Sequence, residues 1–216
     1  MAPDPSPKPQ PLKGPLKGPP EEQPLAALLD LLSLDTLPRT GWILRGVQPA
    51  ESIAGHVLGV AHVALALAPR VEPPLDLARV LAMAIVHDAP EARSGDLPSP
   101  AAGHLPTGAK HALDRGLAAE VIAPLSGAAL AAFEEYESQA TPEARFVKAC
   151  DRLQLGVRLL GYERAGWRGL TEFWHAIEPV AFAEFEPCMA LAHALRSAKA
   201  DTGTGHATAT RRGDSA

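Results

Sequence analysis

A chain of 216 residues and 22.7 kDa has the size of one ordinary domain with tails. Hydrophobic residues make up 46% of it, enough for a core, but aromatics are only 5% and Ala and Leu dominate the apolar set, which favours helix over sheet. The formal charge of −5 and pI near 5.9 argue against a nucleic-acid polymer as partner, although a small phosphate needs only one or two well-placed cations and a metal. Cys150 and Cys188 form neither a disulfide framework nor a zinc-ribbon spacing, so a reducing, cytoplasmic setting is expected. The opening MAPDPSPKPQ lacks the apolar run of a signal peptide. The apolar stretches 57–68 and 80–86 are short for a bilayer span, and no membrane association is expected.

Residues 1–23 are rich in Pro, Lys and Gly, with PLKG twice in tandem, and are expected to be a disordered tail. A short apolar helix follows over 25–34 and breaks near Pro38. A long helix is predicted over 51–68, just after Pro49. The next, over 74–87, runs through LARVLAMAIVHD and is apolar nearly all round, which predicts a helix buried at the centre of the domain. Residues 89–99, with Pro, Gly and Ser, read as a loop, and two further helices follow over 107–122 and 127–138. Thr141-Pro142-Glu143-Ala144 supplies an N-cap, a proline at the first helical position and an acid in the first turn of a helix reaching about residue 160. A helix over 182–197 closes the domain, and 199–216, rich in Thr, Gly, Ala and Arg, is a second expected tail. The expectation is an all-α bundle over residues 24–198, with short connections that leave neighbouring helices mostly antiparallel.

The chemistry concentrates at His87-Asp88, the end of that apolar helix. A polar, ionisable pair there is costly unless something compensates it, and a divalent metal would. Imidazole with carboxylate suits Zn, Mn, Fe, Co or Ni better than Ca. An HD dipeptide alone is weak evidence, but His56 lies within the 51–68 helix and Asp151 within FVKACDRLQL, beside the apolar Phe146, Val147 and Leu155. Taken singly, His56 reads as a hydrogen-bonded core histidine and Asp151 as half of a surface salt bridge. Taken together, two imidazoles and two carboxylates from three helices make a metal site with coordination positions left open.

With these residues in view, the sequence resembles the HD-domain 5′-deoxynucleotidases. The resemblance is carried by PRTGWILRGVQPAESIAGH (38–56), AMAIVHDAPEARSGDLPSP (82–100), EEYESQATPEARFVKACDRLQL (134–155) and GYE (161–163), in the family's order. It implies a divalent metal on His56, His87, Asp88 and Asp151, and a proton-transferring acid at Glu91 beside the phosphate. It further implies that Asp96 faces the deoxyribose 3′-hydroxyl, Arg39 binds phosphate, and Trp42 packs near the sugar and excludes a 2′-hydroxyl. Without the family, Glu91 reads as a solvated helix-end acid, Asp96 as a turn residue and Trp42 as a core or rim aromatic. Arg45 is an alternative to Arg39 because Gly41 stands where some relatives carry the arginine. Lys148, three residues before Asp151, is a second candidate cation, with a plain surface lysine as its other reading.

This chain departs from the family pattern at Gly55, where an acid often precedes the metal histidine, and at Gln154, where a glutamate is common. Both departures are expected to bear on substrate preference. His62, His104, His111, His175 and His193 match no motif. The expected activity is metal-dependent hydrolysis of a 2′-deoxyribonucleoside 5′-monophosphate by a homodimer. The alternatives are a nucleoside triphosphate or modified nucleotide as substrate, and a non-catalytic nucleotide-binding module.

Overall fold

The computed structural model describes residues 23–204, so the tails expected over 1–23 and 199–216 lie largely outside the described residues. Among the described residues ten α-helices follow one another: α1 (Gln23–Leu31), α2 (Thr40–Ile43), α3 (Ile53–Leu67), α4 (Leu77–Val86), α5 (Glu91–Ser94), α6 (Ser99–Ala102), α7 (Ala109–Val121), α8 (Gly127–Ser138), α9 (Pro142–Arg164) and α10 (Glu186–Thr204). Short 3-10 segments at Leu32–Asp35, Ala68–Arg70, Thr171–Ile177 and Pro179–Phe182 join them. Among the described residues there is no strand, only an isolated antiparallel bridge between Pro38 and Ser52. The all-α expectation holds.

The starts of α3, α4, α8 and α9 carry side-chain caps. Ser52 Oγ accepts from Gly55 N (3.0 Å), Ser126 Oγ from Ala129 N (3.0 Å) and Thr141 Oγ1 from Ala144 N (3.2 Å). Asp76 caps α4 by accepting from Arg79 N at 3.1 Å, so that helix begins at Leu77 and not at residue 74. The stretch 89–99, expected to be a loop, contains the one-turn helix α5, which stops where Gly95 turns to φ 70°. α9 runs to Arg164, past its expected end. The last helix starts at Glu186 because Pro179 opens a separate 3-10 turn that takes up Phe182, and it continues to Thr204.

α3 packs against α4 and α9, α4 also against α8 and α9, and α10 lies along α9. Val60 and Ala64 of α3, Val80, Met83 and Ala84 of α4, and Val147 and Leu153 of α9 share the main core. α4 is not buried all round as its composition suggested: Ile85 is 59% exposed, one of several large apolar side chains, with Leu25, Leu28 and Leu29 of α1, that face outward. Continuous with its 3-10 turn, α3 makes an 18-residue apolar stretch, Ile53–Arg70, that has the length and composition of a bilayer span, longer than the sequence runs indicated. Its packing makes it a core helix here, with Ile53, His56, Val60 and Ala64 buried against its neighbours.

Phe146 is fully buried on α9 and meets Phe185 edge-on at 5.3 Å. Phe146→Ala is expected to cost about 3–5 kcal/mol, through lost burial and the cavity left behind. Urea denaturation measures this, and a change below about 1 kcal/mol would mean that the packing of α9 against Phe185, just ahead of α10, is not close.

Candidate metal centre and substrate cavity

The last turn of α4 sets His87. Its Nδ1 donates to the Ala84 carbonyl at 2.8 Å, which leaves Nε2 as the bare nitrogen of the neutral ring. His56, one turn into α3, has Nδ1 at 2.6 Å from Gln154 Oε1, so in the neutral tautomer Nε2 is likewise the nitrogen without the proton. Both rings are buried, 5.4 Å apart between centroids, and neither Nε2 makes a hydrogen bond. Asp88 Oδ2 lies 3.5 Å from His56 Nε2 and 3.4 Å from His87 Nε2. His56, His87 and Asp88 each offer one ligand atom, all within 4.8 Å of one another.

Asp151, on α9, stands beside this trio and outside its tightest grouping. Its Oδ1 is 3.1 Å from His56 Nε2, while Oδ2 accepts from Lys148 Nζ at 2.8 Å. Two buried imidazole lone pairs aimed at carboxylates are costly to leave without a partner, and the set fits a divalent transition ion. The residues can therefore hold a metal.

Arg39 enters from the chain just ahead of α2. Its backbone N–H donates to the Glu51 carbonyl (2.8 Å), next to the Pro38–Ser52 bridge, which fixes this segment against the start of α3. Arg39 Nη1 lies 3.1 Å from Asp88 Oδ2, 3.4 Å from Asp96 Oδ1 and 3.8 Å from Glu91 Oε2. Arg45 instead pairs with Glu172 at the exposed rim (Nε to Oε1, 2.6 Å). Of the two arginines left open by the sequence, the structure brings Arg39 to the carboxylates. Asp96 is also a structural tie: its Oδ2 accepts from Thr40 N at 2.5 Å and its carbonyl from Thr40 Oγ1 at 2.8 Å.

The electrostatics separate the acids. Burial raises the Asp88 pKa, but His87, Arg39 and His56 outweigh it and hold the carboxyl well below its usual range. Asp151 is likewise held low against its burial, by Lys148, His56 and His87. Burial would depress His87, yet Asp88, Asp151 and the Ala84 carbonyl raise it. Glu91 goes the other way. Burial and the adjacent Asp88 and Asp96 push it up to about 9, against the opposing pull of Arg39 and Lys110. It is 7% exposed and its Oε2, though within 3.8 Å of Arg39, makes no hydrogen bond, so it is not the solvated helix-end acid of the plainer reading.

A cavity of about 540 Å³ opens over this cluster, lined among others by Arg39, Trp42, Asp88, Glu91, Asp96, Asp151 and Phe173. Trp42 reaches it with 1% of its surface exposed, because it packs against Tyr162 and Phe173 and donates to Glu51 Oε2 at 3.4 Å. Sequence reasoning missed Phe173, Lys110 and Glu51. Lys110, on α7, lines the cavity and bonds Asp114 at 2.7 Å, and nothing in its local pattern distinguishes it from a surface lysine. Lys148 is half exposed, yet its ammonium contacts both Asp151 and Tyr136 Oη (3.0 Å), so it is more than a plain surface lysine.

Against known proteins, the sequence profile of the family described as HD domain matches residues 32–179. The chain is 32% identical over 160 residues to 5′-deoxynucleotidase hdd1 of Schizosaccharomyces pombe, covering 69% of this chain and 78% of that protein. It is 31% identical over 134 residues to 5′-deoxynucleotidase HDDC2 of Homo sapiens, covering 60% of this chain and 63% of that protein. Among solved structures it is similar to the PH0347 protein from Pyrococcus horikoshii OT3, with a TM-score of 0.68, 33% identity, and coverage of 81% of this chain and 97% of that one.

Proposed function

Because the chain belongs to the HD-domain family, we propose that it is a metal-dependent 5′-deoxynucleotidase, which hydrolyses 2′-deoxyribonucleoside 5′-monophosphates to deoxynucleoside and phosphate. The observation that carries this reading is the pair of buried imidazole nitrogens without hydrogen-bond partners beside Asp88, which itself lines the cavity together with Arg39 and Glu91. His56, His87, Asp88 and Asp151 would hold the ion. When bound, a divalent ion there polarises a phosphoryl oxygen and makes a water acidic near neutral pH.

The chain's own groups do the rest. Arg39 presents a guanidinium fork to the phosphate oxygens and steadies the charge that builds on them. The water oxygen bonds to phosphorus in line as the P–O5′ bond breaks. Glu91, protonated at neutral pH by its raised pKa, passes that proton to the departing 5′-oxygen and takes up the one the attacking water releases, so the acid is regenerated. Phe173 and Trp42, packed together on the cavity wall, would meet the sugar, and Asp96 on the same wall would read its 3′-hydroxyl.

Phosphate release from ribo- and deoxynucleoside mono-, di- and triphosphates tests the reading. Protein stripped with chelator is expected to be inactive and to regain turnover of deoxynucleoside monophosphates with cobalt or manganese. Release of triphosphate would assign the site to triphosphate hydrolysis instead, and absence of turnover in a metal-loaded protein would leave a binding module. We further place the protein in the cytoplasm, in keeping with the free, buried Cys150 and Cys188. A homodimer fits the exposed Leu25, Leu28, Leu29 and Leu32, and light scattering checks that assembly.

A further inference from the structure

Glu51 touches no part of the cavity, yet its carboxylate is among the most enclosed in the protein, at 1% exposure. Three donors converge on it: Gln154 Nε2 (2.6 Å) and Arg158 Nε (2.8 Å) on Oε1, and Trp42 Nε1 (3.4 Å) on Oε2. An ionised carboxylate only accepts hydrogen bonds, so the Gln154 amide must turn its NH₂ toward Glu51. Its other end, Oε1, then faces His56 Nδ1 at 2.6 Å and can only accept in turn. The imidazole proton is thereby confined to Nδ1, and the lone pair on Nε2 points toward Asp88 and Asp151.

We propose that Glu51 is a positioning residue of the metal centre, which sets the tautomer of His56 through Gln154. The proposal rests on the metal-dependent reading of the site. The neutral amide transmits the polarity of the carboxylate without adding a second negative charge beside it. Gly59 makes room for the relay. A Cβ at that position would lie 2.7 Å from Gln154 Nε2 and 2.8 Å from its Cγ, so a side chain on this turn of α3 would push the amide off both partners. Arg158 neutralises the buried acid, and Asp151, Gln154 and Arg158 line one face of α9 at helical spacing.

The test uses full-length protein with ¹⁵N-labelled histidine, with and without zinc, together with cobalt(II) titration. Long-range ¹H–¹⁵N spectra are expected to show His56 protonated at Nδ1 even without metal. Gln154→Leu is expected to release that preference and weaken cobalt binding by about 10–100-fold, the usual effect of losing a group that orients a ligand. The exchange pair E51Q with Q154E keeps an acceptor on His56 and avoids two facing carboxylates, so it should restore affinity to within roughly threefold of wild type. Gly59→Ala should behave like Gln154→Leu. His56 protonated at Nε2 in the wild type, or a folded Gln154→Leu with unchanged cobalt affinity, overturns the proposal. If Gln154→Leu does not fold, the wild-type spectrum decides. A wild type that binds neither cobalt nor zinc defeats the metal reading instead, and the His56 spectrum still reports on the relay.

Discussion

His87→Ala is expected to abolish phosphate release while leaving a folded helical protein. The side chain contributes a bare Nε2 that lies 3.4 Å from Asp88, and its Nδ1 is already satisfied by the Ala84 carbonyl, so the free nitrogen has no structural partner to lose. Removing it takes one donor from the set that would hold the ion. Lewis-acid stabilisation is worth several kcal/mol in the transition state and each 1.36 kcal/mol is tenfold in rate, so a loss of about a thousandfold or more follows. Metal analysis of the purified variant should show a matching loss of bound ion, and circular dichroism should retain the helical signal. Activity within tenfold of wild type would remove His87 from the site and, with it, the reason for reading His56 and Asp88 as its partners.

Glu91→Gln should separate chemistry from metal binding. Glu91 is one turn past His87 and outside the grouping of His56, His87 and Asp88, so cobalt affinity should change little. Its carboxyl is buried with no hydrogen bond to Oε2, and burial together with Asp88 raises its pKa to about 9. A group with a raised pKa is protonated below that value, so it can donate to the leaving oxygen at neutral pH and loses the ability as pH rises. Glutamine keeps the shape but has no transferable proton. The expected result is a fall in kcat of about 10²–10⁴-fold, with KM nearly unchanged. The alkaline limb of the kcat profile that belongs to Glu91 should vanish in the variant. A variant with near-normal kcat and the same limb would assign proton transfer elsewhere.

Much of this was legible from one sequence because its signals are local. Ala- and Leu-rich periodicity gave the helices, and Thr141-Pro142-Glu143 marked the start of α9 at the right residue, because a cap is a hydrogen bond between residues three apart. His56, His87, Asp88 and Asp151 stood out because ionisable groups on apolar helices need compensation. Boundaries failed where a turn of 3-10 helix competed, as at Pro179–Phe182, and α4 misled because its outward face is apolar too.

What the tertiary structure alone decided is which polar groups meet. Gln154 looks in sequence like a substitution bearing on substrate choice, yet it sits 98 positions from His56 and holds that ring at 2.6 Å. Glu51, 103 positions from Gln154, has no local mark at all beyond preceding a helix cap. That Arg39, and not Arg45, meets three acids from another part of the chain depends on the bridge between Pro38 and Ser52. Residue type and helical spacing state what a side chain can do, because those follow from local backbone geometry. Which lone pair faces which proton depends on packing between helices distant in sequence, and that is settled only when α3, α4 and α9 close on one another.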